Sequence, residues 1–207
     1  MTNEIGVMHY VLGFVAGVLC GSIPCGLWIT KMLHGIDIRE YGSKNIGTTN
    51  VFRTVGAETA GIVLSGDMLK GMLIVALVNY YFANPWLTAV TAFGAFMGHN
   101  YSVFLGFKGG KGVATGLGLL VLLMPRVSAA CFIVWFVLVL VTRYVSLGSI
   151  VGGLMAPLLA YYFAYPWPYV LFAAVAGLFI VIRHKDNIKR LATGTESKIK
   201  PGKLEKK

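Results

Sequence analysis

Residues 106–115, GFKGGKGVAT, place four glycines within seven positions and set Lys108 and Lys111 among them. Glycine lets a backbone approach a ligand closely, and a helix starting after the run adds free N–H groups and partial positive charge. A loop of this kind suits phosphate. It is not a P-loop, because Leu105 and Gly112 stand where GxxxxGK[ST] needs Gly and Ser or Thr. The plain alternative is a cytoplasmic turn whose lysines obey the positive-inside rule.

Other polar clusters carry compatible chemistry. Between residues 35 and 53, Ser43, Asn45, Thr48, Thr49 and Asn50 offer short donors, and Arg39 and Arg53 offer planar forks for phosphate or carboxylate. A hydrated turn, with Thr49 or Asn50 capping the segment that follows, is the alternative. Asp67 and Lys70, three apart, share a helical face and are expected to pair. His99 and Asn100 directly precede the glycine hinge, where a His reads first as a structural group. Ser146 and Ser149 open a later apolar segment, and His184 and Asn187 lie one turn apart ahead of Glu196. Carboxylates are too few and scattered for a metal site, and no cofactor is expected. There is no GxSxG elbow, and no His is followed five residues later by Asp, which argues against a covalent serine mechanism and against HxxxxD acyltransferases.

These clusters must be held by membrane-spanning helices. The chain has 207 residues, 57% hydrophobic and only 13% charged, too apolar for a soluble domain of this length. Apolar runs cover about 5–33, 69–83, 86–107, 113–124, 127–142, 147–164 and 167–182. The expected fold is therefore an all-α integral membrane protein, a helical bundle of about seven transmembrane spans. Five or six spans stay open, since 113–124 is short and only Pro125-Arg126 parts it from the next run. With the N-terminus outside and the C-terminus cytoplasmic, all of the 18 Lys and Arg except Arg126 fall on one side. The polar clusters then meet at one depth. Because the basic residues gather at span ends, the net charge of +10 points to topology and not to nucleic acid. Cys20, Cys25 and Cys131 lack CxxC spacing and read as packing residues. The first apolar run, with no basic residue before it, is expected to be a retained span. One transmembrane domain, 1–196, and a basic cytoplasmic tail, 197–207, complete the expected organisation.

Along GSIPCG, GIDIREYGSKNIGTTNVFR, GHNYSVFLGFKGGKGVATGLG, RYVSLGS and RHKDNIKRLATGTESK the chain resembles the bacterial acyl-phosphate:glycerol-3-phosphate acyltransferases, the PlsY family. The resemblance implies transfer of a fatty acyl group from acyl phosphate to the 1-hydroxyl of glycerol 3-phosphate in the bacterial cytoplasmic membrane, by a monomer with its site on the cytoplasmic side. It implies catalytic roles for Arg53, Lys111 and His184. Ser43, Asn45, Thr49, Asn50, Lys108, Gly109, Gly110, Gly112, Ser149 and Asn187 are implied to bind substrate, and Asp67, Lys70, His99, Asn100 and Glu196 to support the site. Family members commonly carry Gly and Ala where this chain has Lys44 and Thr48. His184 is the first side-chain candidate for a base and His99 the second, with a substrate phosphate favoured over both. A carrier for a phosphorylated solute, using the cationic loops as a vestibule, is the rival reading from another class.

Overall fold

Pro24 has no amide hydrogen to give a helix, and the first apolar run breaks there. In the computed structural model, which describes residues 5–200, α1 (Val7–Gly21) ends before the break and α2 (Cys25–His34) follows it. The break is stitched to the end of α5 (Pro85–Asn100). Ser22 Oγ donates to the Gly98 carbonyl (3.3 Å) and accepts from Val103 N–H (3.2 Å), while Ser102 Oγ donates to the Ser22 carbonyl.

The remaining helices are α3 (Thr48–Val55), α4 (Ala57–Phe82), α6 (Val113–Leu123), α7 (Pro125–Thr142), α8 (Val145–Tyr162), α9 (Trp167–Arg183) and α10 (Lys185–Ala192). Among the described residues there is no strand, so the all-α expectation is met. Asn84 starts α5 by accepting Leu87 N–H at 2.9 Å, with Pro85 in the first helical position. α1 lies directly on α5. Added to Gly17, Gly21, Gly94 or Gly98, a Cβ would run into backbone of the facing helix, at Thr91, Ala95, Phe14 and Val18 respectively. Small residues of this kind let backbones meet where no hydrophobic effect drives helices together. Val75, Phe96, Leu119, Met124 and Val127 fill the junction of α4 to α7 and are fully buried. Leu73, Phe136, Leu140 and Leu158 face outward, as lipid contact requires.

Each of the seven apolar runs lies on a helical stretch, the first split at Pro24. Two differ in extent: the run read to 107 leaves its helix after Asn100, and α4 starts well ahead of 69. α4 begins at Ala57, twelve positions ahead of the apolar run read from about 69, because GAETAGIVLSGD is helical without being strongly apolar. By length and composition, 7–34, α4, α7 and α8 can each cross a membrane, and α9 with α10, bent by 59°, makes a fifth. α5, with 16 residues, and α6, with 11, are shorter. At 1.5 Å per residue α6 covers only about 16 Å, roughly half a hydrocarbon core.

Gly17→Ala and Gly98→Ala are each expected to destabilise the detergent-solubilised protein by about 1–3 kcal/mol through overpacking. Gly61→Ala, where the new methyl meets nothing within 4 Å, is expected to leave the unfolding midpoint unchanged or slightly raised. Equal losses at all three positions would deny the close α1–α5 contact.

Candidate active site

Residues 37–47 form a loop, and Asn50 ties it together. The Asn50 side chain is buried inside α3, accepts Ser43 N–H (2.8 Å), and directs its amide to the carbonyls of Ile38, Tyr41 and Asn45 (3.2, 3.0 and 2.9 Å). Gly47, not Thr49 or Asn50, occupies the helix-start position, which corrects the capping expectation. Lys44 has φ of 57°, in the left-handed region that favours glycine. Its Cβ costs about 1 kcal/mol there.

The loop, α3 and the first turns of α6 and α8 surround one large cavity with the α9–α10 bend. Its volume is about 1100 Å³, and it runs from a polar rim into an apolar groove between α6, α7, α8 and α9. The lining holds five cations, Arg53, Lys111, Arg183, Lys185 and Arg190, against three carboxylates, Asp67, Asp186 and Glu196. Lys111 Nζ donates to Asn187 Oδ1 (2.5 Å), and Asn187 Nδ2 donates to Glu196 Oε1 (2.7 Å). Ser146 Oγ and Arg190 Nε also donate to Glu196, each at 2.7 Å. Burial pushes the Glu196 carboxyl up, but these donors outweigh it and hold the group below the ordinary carboxylate range. Glu196 thus supports the cluster and remains an anion. Arg53 Nη2 donates to the Ser197 carbonyl at 2.7 Å.

Three polar atoms on the cavity wall are buried without a hydrogen-bond partner among the described residues: Thr48 Oγ1, Arg53 Nε and Asp67 Oδ2.

Of the residues singled out in the sequence, Ser43, Asn45, Thr49, Asn50, Arg53, Asp67, His99, Lys111, Gly112, Ser149, His184, Asn187 and Glu196 line this cavity. Lys108, Gly109, Gly110, Lys70 and Asn100 do not. The N–H groups of Gly109 and Gly110 are spent on the carbonyls of Asn100 (3.2 Å) and His99 (2.9 Å). What the hinge can offer a ligand is therefore Lys111, Gly112 and the start of α6, whose first helical bond runs from Gly116 N–H to the Gly112 carbonyl and leaves the preceding N–H groups free of helical partners. Thr48 and Ser146, named among the polar clusters, line the cavity as well. Arg183 and Arg190 were not singled out, because both sit in a basic run that topology alone explains.

The two candidate bases differ. His99 is buried and its Nδ1 lies 2.9 Å from the Lys70 ammonium, which also donates to Asp67 Oδ1 and the Ile23 carbonyl, each at 2.7 Å. An ammonium has only hydrogens to offer, so Nδ1 accepts, Nε2 carries the proton, and His99 has no lone pair for a substrate. His184, in the bend after α9, bonds its Nδ1–H to the Ile180 carbonyl (2.8 Å), which leaves Nε2 as an acceptor. Burial, then the nearby Lys111 charge, pushes this imidazole down to about 4, so it is neutral at pH 7.

A model of the family described as "Glycerol-3-phosphate acyltransferase" matches residues 11–194. A protein of Moorella thermoacetica named glycerol-3-phosphate acyltransferase 2 is 45% identical over 190 residues, covering 92% of this chain and 97% of its own. One from Trichormus variabilis, named glycerol-3-phosphate acyltransferase, is 43% identical over 202 residues, with 89% of each chain covered. The crystal structure of PlsY, an integral membrane glycerol 3-phosphate acyltransferase, in its glycerol 3-phosphate form superposes with a TM-score of 0.86 at 38% identity, over 92% of this chain and 96% of that one. Its lysophosphatidic acid form gives 0.84 at the same identity. The helices and cavity are thus those of an integral membrane enzyme. The chain belongs to the glycerol-3-phosphate acyltransferase family.

Burial lowers the Lys111 ammonium to about 8. A lysine whose pKa falls from 10.5 on folding gives up its proton earlier in the folded state, so its contribution to stability grows as pH rises above about 8. Its use as a cation runs the other way. Affinity for a phosphate monoester is expected to fall as pH rises through about 8, and Lys111→Arg is expected to abolish that fall. An affinity that stays level across this pH in the unmodified protein would remove Lys111 from the contact.

Proposed function

We propose that the protein transfers a fatty acyl group from an acyl phosphate to the 1-hydroxyl of glycerol 3-phosphate, giving lysophosphatidic acid and inorganic phosphate. The observation that carries this reading is the two-sided cavity, in which a cationic rim opens directly onto an apolar groove. A water-soluble phosphate ester and an acyl chain could then be held side by side. Direct transfer without an acyl enzyme fits the cavity, since the described residues offer no paired serine and histidine, and a cationic rim suits a donor whose leaving group is phosphate. The leaving phosphate is good enough to need only charge neutralisation.

In this reading Arg53 and Lys111 hold phosphate, with the start of α6 adding its positive end. Arg53 would bring its unpaired Nε and release or keep the Ser197 carbonyl. Ser43, Asn45, Thr49, Ser149 and Asn187 orient the substrates, and Gly148, Gly152, Ala156, Ala176 and Gly177 leave room for the acyl chain. Asn50 serves by fixing the loop, and Gly109 and Gly110 by seating the hinge. The glycerol hydroxyl attacks the acyl carbonyl carbon, the bond to phosphate oxygen breaks, and the hydroxyl proton goes to a phosphate oxygen. A phosphate with a second pKa of about 6 is the better proton acceptor than an imidazole near 4. His184 Nε2 then positions the glycerol by accepting a hydrogen bond from its 2-hydroxyl, leaving the proton of the 1-hydroxyl for the phosphate. Holding both reactants in place can supply up to about 7–11 kcal/mol of the barrier.

The same reading has residues 1–196 as one domain with about seven spans, acting as a monomer in the bacterial cytoplasmic membrane, with the cavity opening to the cytoplasm. The basic residues at one end of the bundle support it. Of the tail, Ser197 and Ile199 line the cavity, and 201–207 fall outside the described residues. Buried charges can also mark a carrier's path. The ammonium of Lys70 has all three donors occupied, however, and the cavity ends among apolar side chains.

Purified protein given acyl phosphate and labelled glycerol 3-phosphate is expected to form lysophosphatidate and phosphate in equal amounts, with little product from acyl-CoA. Lys111→Ala or Arg53→Ala is expected to lower kcat/KM for glycerol 3-phosphate by well over threefold. A loss below that, under about 0.7 kcal/mol, would remove the residue from its role, and folded protein without turnover would favour the carrier.

A further inference from the structure

Arg183 closes α9 and is absent from the roles assigned above. Its guanidinium lies against the hinge, with Nε donating to the Gly110 carbonyl (3.1 Å) and Nη2 donating to both Gly110 (2.9 Å) and Gly109 (3.1 Å). The Tyr101 ring, centred 5.4 Å from the guanidinium carbon, backs the group from the other side. The peptide between Gly109 and Gly110 is thus gripped at both ends, its carbonyl by Arg183 and its N–H by the His99 carbonyl. The peptides on either side are each held once, the Gly109 N–H by the Asn100 carbonyl and the Gly110 carbonyl by Arg183.

The fit is close. A Cβ at Gly109 would strike the His99 carbonyl oxygen, and one at Gly110 would strike His99 Nε2. His99 is held from behind, because the Lys70 ammonium, itself anchored on Asp67, donates to its Nδ1. In a trans peptide the carbonyl and the next N–H point in opposite directions. Fixing the Gly110 carbonyl on Arg183 therefore fixes the direction in which Lys111 leaves the hinge, toward Asn187 Oδ1 across the cavity. The same helix end supplies both constraints, since Asn187 stands on α10 one turn beyond the bend that follows Arg183.

We propose that Arg183 is the positioning residue for Lys111, its fork on the two hinge carbonyls setting where the Lys111 ammonium stands against the substrate phosphate. The proposal rests on the reading of Lys111 given above. Arg183 acts through the hinge and not on the substrate. A lysine cannot replace it, because one ammonium on a flexible stem does not hold two adjacent carbonyls in a fixed plane.

The test is a double-mutant cycle on the full-length detergent-solubilised protein, assayed with acyl phosphate and glycerol 3-phosphate. Lys111→Ala is expected to lower kcat/KM by about 100- to 1000-fold, as loss of one aligned charge-stabilising donor does. Arg183→Ala is expected to lower kcat by about 10- to 100-fold in the unmodified protein and by less than about threefold once Lys111 is alanine, as groups acting in series do. Arg183→Lys is expected to behave as Arg183→Ala, and it carries the cycle if the alanine variant does not fold. Equal losses on both backgrounds would overturn the proposal, since a general loss of structure would be indifferent to Lys111. So would a raised KM for glycerol 3-phosphate at unchanged kcat, which would make Arg183 a direct ligand, and so would full activity in Arg183→Lys. An unimpaired Lys111→Ala would instead overturn the reading of Lys111, and the proposal with it.

Discussion

One buried ammonium underlies the arrangement. Lys70 gives its three hydrogens to three acceptors from three places in the chain, the Ile23 carbonyl at the break in the first apolar run, Asp67 one turn back on α4, and His99 at the end of α5. Charge in such surroundings is tolerated only when every hydrogen finds an acceptor, and removing one partner of a buried pair typically costs about 3–5 kcal/mol. The requirement works as a constraint on geometry. It holds the break, α4 and α5 at fixed separations, and the top of α5 is the surface on which the glycine hinge sits.

From that surface the rest of the site follows. The hinge delivers Lys111, the α9–α10 bend delivers His184 and Asn187, and Glu196 joins the bend to the start of α8 through Ser146. Below this polar layer, small residues on α8 and α9 leave a groove where larger side chains would have closed the bundle. The proposed reaction needs both environments within one bond length of the reacting carbon, and the bundle supplies them by changing residue size along helices that are continuous.

Much of this was legible in the sequence because it is local. Pro24, Asn84-Pro85 and Pro125 break or start helices by what their own backbones can do, and the apolar runs follow from composition. The pairing of Asp67 with Lys70 came from helical spacing. What escaped notice depends on partners distant in the chain. GGKG looks like a loop that offers amide hydrogens, yet α5 takes the amides of Gly109 and Gly110 before any ligand can. Asn50 looks like a cap or a ligand and is instead the knot of its loop. His99 looks like a possible base, and only the position of Lys70 shows that its lone pair is taken. Arg183 and Arg190 were hidden by a rule that accounts for any cation beside a membrane. The left-handed backbone at Lys44 is not legible in the sequence, since a residue type limits φ without fixing it.

The stretch after α10 works as a strap. Glu196 binds residues on α8 and α10, the Ser197 carbonyl holds Arg53, and Ile199 N–H bonds to the Arg143 carbonyl (2.8 Å). Four residues of non-helical chain thus join α3, α8, α10 and the turn before α8 along one edge of the cavity. Such a segment is held by polar contacts and little buried apolar surface, so it can open locally at a cost below that of parting the helices.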